Sequence, residues 1–503
     1  MDANTTAFAN SGVSTPTFGP KMAGASAWPS GFATPPPLLV YSWQPLRMIA
    51  GGSDGARHAG MSQRLAQIIR SACRIGLEPT FISGQPMHHS KREESSTKRG
   101  TVWVGQCRVN HYYGTTANQY AQLSADGLKP RFAFIFYTAA WFAIEQRAIR
   151  NATGWAMPEA YLDDADSSSS SSGKEMKLVS LLRAEHPNAA IAVLTDDIQS
   201  DKLRSVLPSA RHGNGDAARV EHVTNWMERR ELQLYSRADA TVTVSAHDSA
   251  WMRKRLKVNT HPHIVMCLPF IAYPPPPRQV PGFAARSGML YCGVAHTSAA
   301  QSMRWFLSAV HPHLQSLLRS KDDQANSRLT IVGWGWKDLK RDGPGCSHDS
   351  DVRGRGSRCV GSVLQSSSNG SGGGDVLDLL DLHHAVDDEV LSGIFAARRV
   401  FIAPCRGCTG VATKVVTALR HGIPVVCTSE ATRGIIDGPH HAETSALSVH
   451  DDPEAFASAV AALLTDEELW RRKSEAALRF TRVALSENVL DTLMGSLLTA
   501  VQM

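Results

Sequence analysis

Residues Val400 to Thr428 read VFIAPCRGCTGVATKVVTALRHGIPVVCT. The order is an unbroken apolar run, a glycine-bearing loop, a helical stretch, a glycine stop and a second apolar run. Apolar runs that do not alternate suit strands covered on both faces, the environment of a parallel sheet. Parallel neighbours need a crossover, and the helical stretch supplies one. This segment therefore commits the chain to an α/β architecture.

The same grammar recurs on both sides of Pro274-Pro275-Pro276-Pro277. Before it, buried parallel strands are predicted at Leu38 to Tyr41, Pro79 to Ile82, Thr101 to Val104, Phe132 to Phe136, Ala190 to Leu194 and Ala240 to Val244. After it they are predicted at Met289 to Gly293, Leu329 to Gly333, Val400 to Ala403 and Val425 to Cys427. Leu65, Ile68, Ile69, Ala72 and Ile75 share one helical face, and Gly76 suits the stop of that helix. Further helices are predicted near Glu228 to Tyr235, Ser302 to Val310, Asp387 to Ala397, Val411 to Arg420 and from Pro453 onward.

Four consecutive prolines favour a stiff polyproline II spacer. The chain therefore reads as a disordered leader (1–37), an N-terminal Rossmann-like domain (38–273), a proline-rich linker (274–285), a C-terminal Rossmann-like domain (286–480) and a C-terminal helix (481–503). Ser167 to Ser172 and Gly343 to Gly374 read as loop insertions. Two α/β halves on a hinge imply a crevice between them, a usual place for a ligand. A net charge of +6 over 503 residues, with no Lys/Arg run, argues against nucleic acid as a partner. Nine cysteines, an odd and scattered set, point away from a disulfide framework and toward a reducing compartment, the cytoplasm. There is neither a secretory leader nor an uninterrupted apolar stretch of about 18 residues, so a soluble protein without a transmembrane segment is expected.

The glycine loop carries the chemistry. Gly407 and Gly410 permit a tight turn, and the helix predicted from Val411 offers free N–H groups and the positive end of its dipole, an arrangement suited to a diphosphate. Lys414 falls in the first turn, where a cation costs roughly 0.3–1 kcal/mol unless an anion is bound. Its functional reading is a contact to a leaving diphosphate; its structural reading is a surface lysine with its stem along the helix.

Other motifs are weaker. Asp164-Ala165-Asp166 and Asp349-Ser350-Asp351 have the DxD spelling of a metal site but lie in polar, insertion-like stretches, so no metal is expected. Cys405 and Cys408 form a CxxC that lacks the second pair of a zinc site and a thioredoxin-like context for redox work. Cys346, His348 and Cys359 fit no metal spacing. His58 and His111 are read in N-terminal loops, Asp197 as a turn cap or cleft residue, Glu231 as facing solvent or local packing, and the pair Asp387-Asp388 as a helix start.

The runs MLYCGVAHTSAAQSMRWFLSAVHPHL, RLTIVGWG, HAVDDEVLSGIFAARRVFIAP and GCTGVATKVVTALRHGIPVVCT, in that order, resemble the group 1 glycosyltransferases, retaining enzymes of the GT-B fold. Weaker echoes are GGSDGARHAGMSQRLAQIIRSACRIGLEPTFIS, AAIAVLTDDIQSDKLR and RRELQLYSRADATVTVSAHDS in the N-terminal half. The resemblance implies two Rossmann-like domains facing across a cleft. It further implies transfer of a sugar, with retention, from a UDP- or GDP-sugar held by residues 286–480 to a glycan, lipid or small-molecule acceptor, with no metal or other cofactor. It implies catalytic roles for Lys414 and His296. Donor contacts would come from Gly51, Gly52, Gly293, Gly333, Thr409, Gly410, Val411, Lys414 and Thr417. Where many members carry two glutamates eight positions apart, this chain has Thr409 and Thr417, and Ala299 stands where the family has an asparagine. The alternative that these departures favour is a degenerate GT-B scaffold that binds a nucleotide or glycan without turnover.

Overall fold

The structure is a computed structural model. It describes residues 35–42, 60–83, 99–112, 116–136, 171–256 apart from 196, 199, 202–203 and 205–216, 263–336 apart from 296, 319, 321–326 and 334, 380–436 apart from 385 and 409, and 445–502. The DxD candidates, Cys346, His348, Cys359 and His58 lie outside the described residues, as do the functional candidates Gly51, Gly52, His296 and Thr409.

Two sheets organise the chain. The first holds β1 (Pro37–Ser42), β2 (Glu78–Ser83), β3 (Arg99–Val104), β4 (Cys107–Tyr112), β5 (Phe132–Phe136), β6 (Ala190–Leu194), β7 (Ala240–Thr243) and β8 (Ile264–Cys267) in the order β3-β4-β2-β1-β5-β6-β7-β8. The second holds β9 (Met289–Cys292), β10 (Leu329–Val332), β11 (Leu380–His383), β12 (Val400–Ala403), β13 (Val425–Cys427) and β14 (Leu447–Val449) in the order β11-β10-β9-β12-β13-β14. Every pairing is parallel except that of β3 with β4. The fold is thus α/β with two Rossmann-like sheets.

Thr101 to Val104 corrects one expectation. It lies in an antiparallel edge strand, not a buried parallel one, and Trp103 is 59% exposed. Its alternating burial is the pattern of a strand with one wet face. Among the other predicted strands, β5 is buried at every position, and so are β7, β10, β12 and β13. The strands not predicted (β4, β8, β11 and β14) are short or carry polar residues such as Arg108, Asn110 and Asp381, which break the apolar signal.

The helix Gly60–Arg74 buries Leu65, Ile68, Ile69 and Ala72, and Gly76 takes φ +88, the left-handed stop its sequence predicts. Other helices differ from the sequence reading. The predicted Ser302 to Val310 helix is Thr297–Trp305 continued by a π turn, Phe306–Val310, and His311–Leu317. Ser171 and Ser172, read as loop, open the helix Ser171–Glu185. Glu231 is fully buried in the helix Ala217–Tyr235, where its carboxylate accepts the Ser200 N–H at 3.1 Å.

The C-terminal helix Glu487–Ala500 joins the core of the first sheet. Leu490, Met494, Leu497 and Leu498 are fully buried in one cluster with Leu65 and Ile68. At about 1.5–3 kcal/mol each, their burial is worth on the order of 6–12 kcal/mol. Arg74 adds ion pairs to Asp491 at 2.7 Å and Glu487 at 2.6 Å, which are partly exposed and contribute far less. A disulfide between Cys73 and Cys107 ties the helix Gly60–Arg74 to β4, where the scattered cysteines had pointed away from a disulfide framework. Four prolines follow Tyr273, whose ring lies 3.6 Å from the Arg70 guanidinium. Arg420 donates to the Pro274 carbonyl at 3.3 Å and Arg482 to that of Pro277 at 3.3 Å, so side chains that follow the linker in sequence hold its prolines.

Candidate functional site

In the second sheet the order of strands reverses between β9 and β12. Crossovers leave these neighbours toward opposite faces, which opens a crevice at their carboxyl ends. Gly293 follows β9 at that point, and the glycine loop follows β12.

The loop is tied down residue by residue. Cys405 donates its N–H to the Ala403 carbonyl at 2.8 Å, and the Thr428 hydroxyl donates to the Cys405 carbonyl at 2.7 Å. The Arg406 N–H donates to the Ser302 hydroxyl at 2.9 Å, while its guanidinium lies 4.4 Å from the Trp305 ring centroid. Gly407 turns the chain with φ +72, and the Cys408 N–H donates to the Glu430 carboxylate at 2.9 Å. A disulfide links Cys405 and Cys408.

The helix that follows is Thr413–Arg420, two residues later than predicted, with Gly422 at φ +64 beyond its end. Thr413 N–H donates to the Val411 carbonyl and Val415 N–H to that of Ala412, so Val411 and Ala412 form a tight lead-in turn instead of helix. The N-cap is Ala412, which offers no side-chain acceptor. By contrast Asp387, Asp452, Asp466 and Ser486 each accept an N–H at the start of their own helices. Asp387-Asp388 therefore starts a helix as its sequence implies.

Lys414 lies in the first turn, half-buried. Its ammonium donates to the Tyr291 hydroxyl at 3.2 Å and sits 4.8 Å from that ring's centroid. Tyr291 is buried and meets the Trp336 indole edge-on at 5.7 Å, and Trp336 Nε1 donates to the Gly293 carbonyl at 2.6 Å. A Cβ on Gly293 would lie 3.1 Å from the Lys414 ammonium. One on Gly333, at φ +145, would fall 2.0 Å from the Gly293 carbonyl oxygen. Glycine at both positions lets the ends of β9 and β10 approach each other beneath the lysine. Burial pushes the neighbouring Cys292 thiol up to about 11, against the opposing pull of the Lys414 charge. Thr417 points its hydroxyl into its own helix, donating to the Thr413 carbonyl at 3.1 Å.

The first sheet faces this site. A Cβ on Gly410 would fall 2.0 Å from Asp197 Oδ1, beyond the end of β6. One on Gly434, at φ +71, would meet Val411 Cγ2 at 2.4 Å and the Val244 carbonyl beyond β7 at 3.0 Å. Arg433 reaches Asp201 at 3.7 Å, and His247 reaches the same carboxylate at 3.6 Å. Asp248, 2% exposed, has its carboxyl lifted to about 7, chiefly by burial, with Asp197 and Asp201 raising it and Ser245 and Arg433 lowering it. The carboxyl edges of the two sheets thus meet across the loop that carries Gly410.

The structure brings Gly293, Gly333 and Lys414 together, and it sets Gly410 against Asp197 and Val411 against Gly434 just before that lysine. His111 is buried within β4, not in a loop. Asp197 is in the crevice against Gly410. Sequence reasoning missed Tyr291, Trp336 and Glu430. Tyr291 is 123 positions from Lys414, and no spacing rule connects residues that distant. A cavity of about 650 Å³ lined by Trp226, Arg229, Arg230, Gln233, Arg255 and Leu256 contains no residue of the second sheet's half. Among the described residues no group of three His, Cys, Asp or Glu is placed to hold a metal ion, and no helix is long and apolar enough to cross a membrane.

The family described as Glycosyl transferases group 1 matches residues 374–466, which include the glycine loop and Lys414. Among curated proteins, none matches by sequence. Solved structures match along nearly the whole chain. Sucrose-phosphate synthase from Thermosynechococcus elongatus aligns with TM-score 0.53 at 12% identity, covering 92% of this chain and 98% of its own. An E. coli trehalose-6-phosphate structure bound with UDP-2-fluoro glucose aligns with TM-score 0.51 at 12% identity, covering 93% and 99%. An α,α-trehalose-phosphate synthase (UDP-forming) from Burkholderia xenovorans, in complex with glucose-6-phosphate, aligns with TM-score 0.51 at 11% identity, covering 93% and 100%. Residues 374–466 thus resemble the group 1 glycosyltransferases, and the chain shares the two-sheet GT-B fold of the solved structures it aligns with.

Proposed function

We propose that the protein transfers a glycosyl group, with retention, from a UDP-sugar to a small phosphorylated sugar. The diphosphate would lie over the glycine loop, the lead-in turn Val411-Ala412 and the ammonium of Lys414. As the bond from the anomeric carbon to the β-phosphate oxygen breaks, negative charge grows on the departing UDP. Lys414 would stabilise that charge without reorganising, because Tyr291 already holds its ammonium in place. The observation that carries the reading is the position of Lys414: its ammonium is fixed by Tyr291 at the end of β9, beside Gly293 and at the crevice where the strand order reverses.

His296 and Thr409 belong to this reading as the sugar-side contacts, and Gly51 and Gly52 as the opposing loop of the N-terminal half. No metal is assigned a role. UDP is preferred to GDP as the donor nucleotide because one structural relative holds a UDP-sugar and another is UDP-forming. A sugar phosphate is preferred as acceptor because that second relative holds glucose-6-phosphate. Closure of the crevice would exclude water and limit hydrolysis of the donor.

One observation favours the binding-only alternative. Thr417 stands where many relatives carry a glutamate, and its hydroxyl is already spent on the Thr413 carbonyl. The ribose contact must then come from elsewhere if turnover is to occur. The deciding experiment incubates the protein with a panel of UDP- and GDP-sugars, with and without sugar phosphates, and follows release of the nucleotide. Acceptor-dependent release of UDP, with retained anomeric configuration by NMR, is the expected result. Tight nucleotide binding with no release for any pair would establish the scaffold instead.

A further inference from the structure

The same glycine loop contains two sulfur atoms that the transfer reaction does not use. Cys405 and Cys408 are bonded to each other, with Cα atoms 5.7 Å apart, inside the ordinary range for a disulfide. The bond closes a ring over Cys405-Arg406-Gly407-Cys408, and Thr409 and Gly410 leave directly from it. Cys405 is buried, whereas Cys408 is partly exposed. The Cys405 side of the ring is anchored through the Thr428 hydroxyl and the Arg406 N–H. On the Cys408 side the backbone N–H donates to the Glu430 carboxylate at 2.9 Å. Opening the bond would leave the firmly held half in place and release the half that leads to Gly410 and Lys414. Nearby Cys427 and Cys292 differ in kind: burial pushes their thiols up to about 12 and about 11, where the reactive thiolate is scarce.

We propose that Cys405 and Cys408 form a dithiol–disulfide exchange site that sets the nucleotide affinity of the glycine loop, with a dithiol as the reaction partner. This rests on the nucleotide-sugar reading of the loop. The exchange runs in two steps. A thiolate of the partner attacks the partly exposed Cys408 Sγ, the Cys405–Cys408 bond breaks, and Cys405 leaves as a thiolate that takes up a proton. The partner's second thiolate then attacks its own mixed-disulfide sulfur and expels Cys408, which is protonated in turn. Two electrons pass to the protein, and the partner dithiol becomes a disulfide.

The oxidised ring holds Gly410 and the lead-in turn before Lys414 in one arrangement, so a diphosphate need not order them on binding. Reduction is expected to weaken UDP binding about tenfold, equivalent to about 1.4 kcal/mol. The test uses the full chain, either oxidised or reduced with dithiothreitol. Differential alkylation and peptide mass spectrometry score the Cys405–Cys408 bond, and calorimetry measures UDP affinity in each state. The Cys405→Ser/Cys408→Ser double variant serves as the control: it is expected to bind UDP like the reduced wild type in both conditions, even though Cys73–Cys107 is also reduced. Equal UDP affinity for the two wild-type forms overturns the proposal, as does a redox response that persists in the double variant. An unbonded Cys405 and Cys408 in the oxidised protein overturns it too. Absence of UDP binding in both forms while the exchange itself proceeds overturns the nucleotide reading as well, which separates the two failures.

Discussion

Replacing Lys414 by methionine removes the ammonium and keeps most of the stem. In the free protein two small effects oppose each other. The variant loses a hydrogen bond and a cation–ring contact to Tyr291, worth about 0.5–1 kcal/mol at a half-exposed position. It also removes a cation from the first turn of Thr413–Arg420, whose positive dipole end disfavours it by about 0.3–1 kcal/mol. The two nearly cancel, so thermal stability without ligand is expected to stay within about 1 kcal/mol of wild type. With UDP bound the balance changes. A hydrogen bond between the ammonium and a phosphate oxygen is worth about 1.5–3 kcal/mol, so UDP affinity should fall about 10- to 150-fold. Calorimetric titration with UDP reads the affinity, and a thermal melt reads the stability. Tyr291→Phe keeps the ring and drops only the hydroxyl, so it should lose a smaller part of the affinity. A Lys414→Met protein that binds UDP within twofold of wild type refutes the assignment. A variant that loses binding only because it unfolds would show a lowered melt and refute the argument from opposing terms.

Other substitutions probe the surrounding frame. Gly333→Ala places a methyl group 2.0 Å from the Gly293 carbonyl oxygen at φ +145, a clash with backbone that no rotamer relieves; urea unfolding should show a loss of about 2–5 kcal/mol. Met494→Ala empties a fully buried position where the C-terminal helix packs on the first sheet's core, and should cost about 2–5 kcal/mol in the same assay. Asp248 gives a pH signature: its folded-state carboxyl, at about 7 against an ordinary 3.8, holds a proton that the unfolded chain has already lost, so its contribution to stability falls as pH rises from about 4 to about 7. Asp248→Asn should therefore match wild type near pH 4 and exceed it by on the order of 2–4 kcal/mol at pH 8; a difference that stays constant with pH counts against the burial argument.

How much of this was legible in the sequence depends on the range of the interaction. Local grammar carried far. The apolar runs that became β5, β7, β10, β12 and β13 could be read, and so could the stop at Gly76 and the cap at Asp387, because each is decided by neighbours within a few residues. The glycine loop and Lys414 were legible for the same reason. Partnerships between distant residues were not. Nothing in the spacing of Cys73 and Cys107, separated by 34 positions, marks them as bonded rather than any other pair of the nine. Tyr291 beneath Lys414 and Trp336 on the Gly293 carbonyl are set by the stacking of β9 and β10 against the loop after β12. The expected helix start at Val411 slipped to Thr413 because the two intervening residues are spent on a turn that period counting cannot resolve. The edge strand Arg99–Val104 was mistaken for a buried one because four apolar-leaning residues are too few to separate alternation from a continuous run.

Hydrogen exchange followed by mass spectrometry, with and without UDP, tests whether the nucleotide rests on the glycine loop. Slowed exchange is expected in the peptide spanning Cys405 to Val416 when UDP is added, with little change along the helix Glu487–Ala500. Unaltered exchange in that peptide at saturating UDP, or protection confined to the N-terminal half, would contradict it.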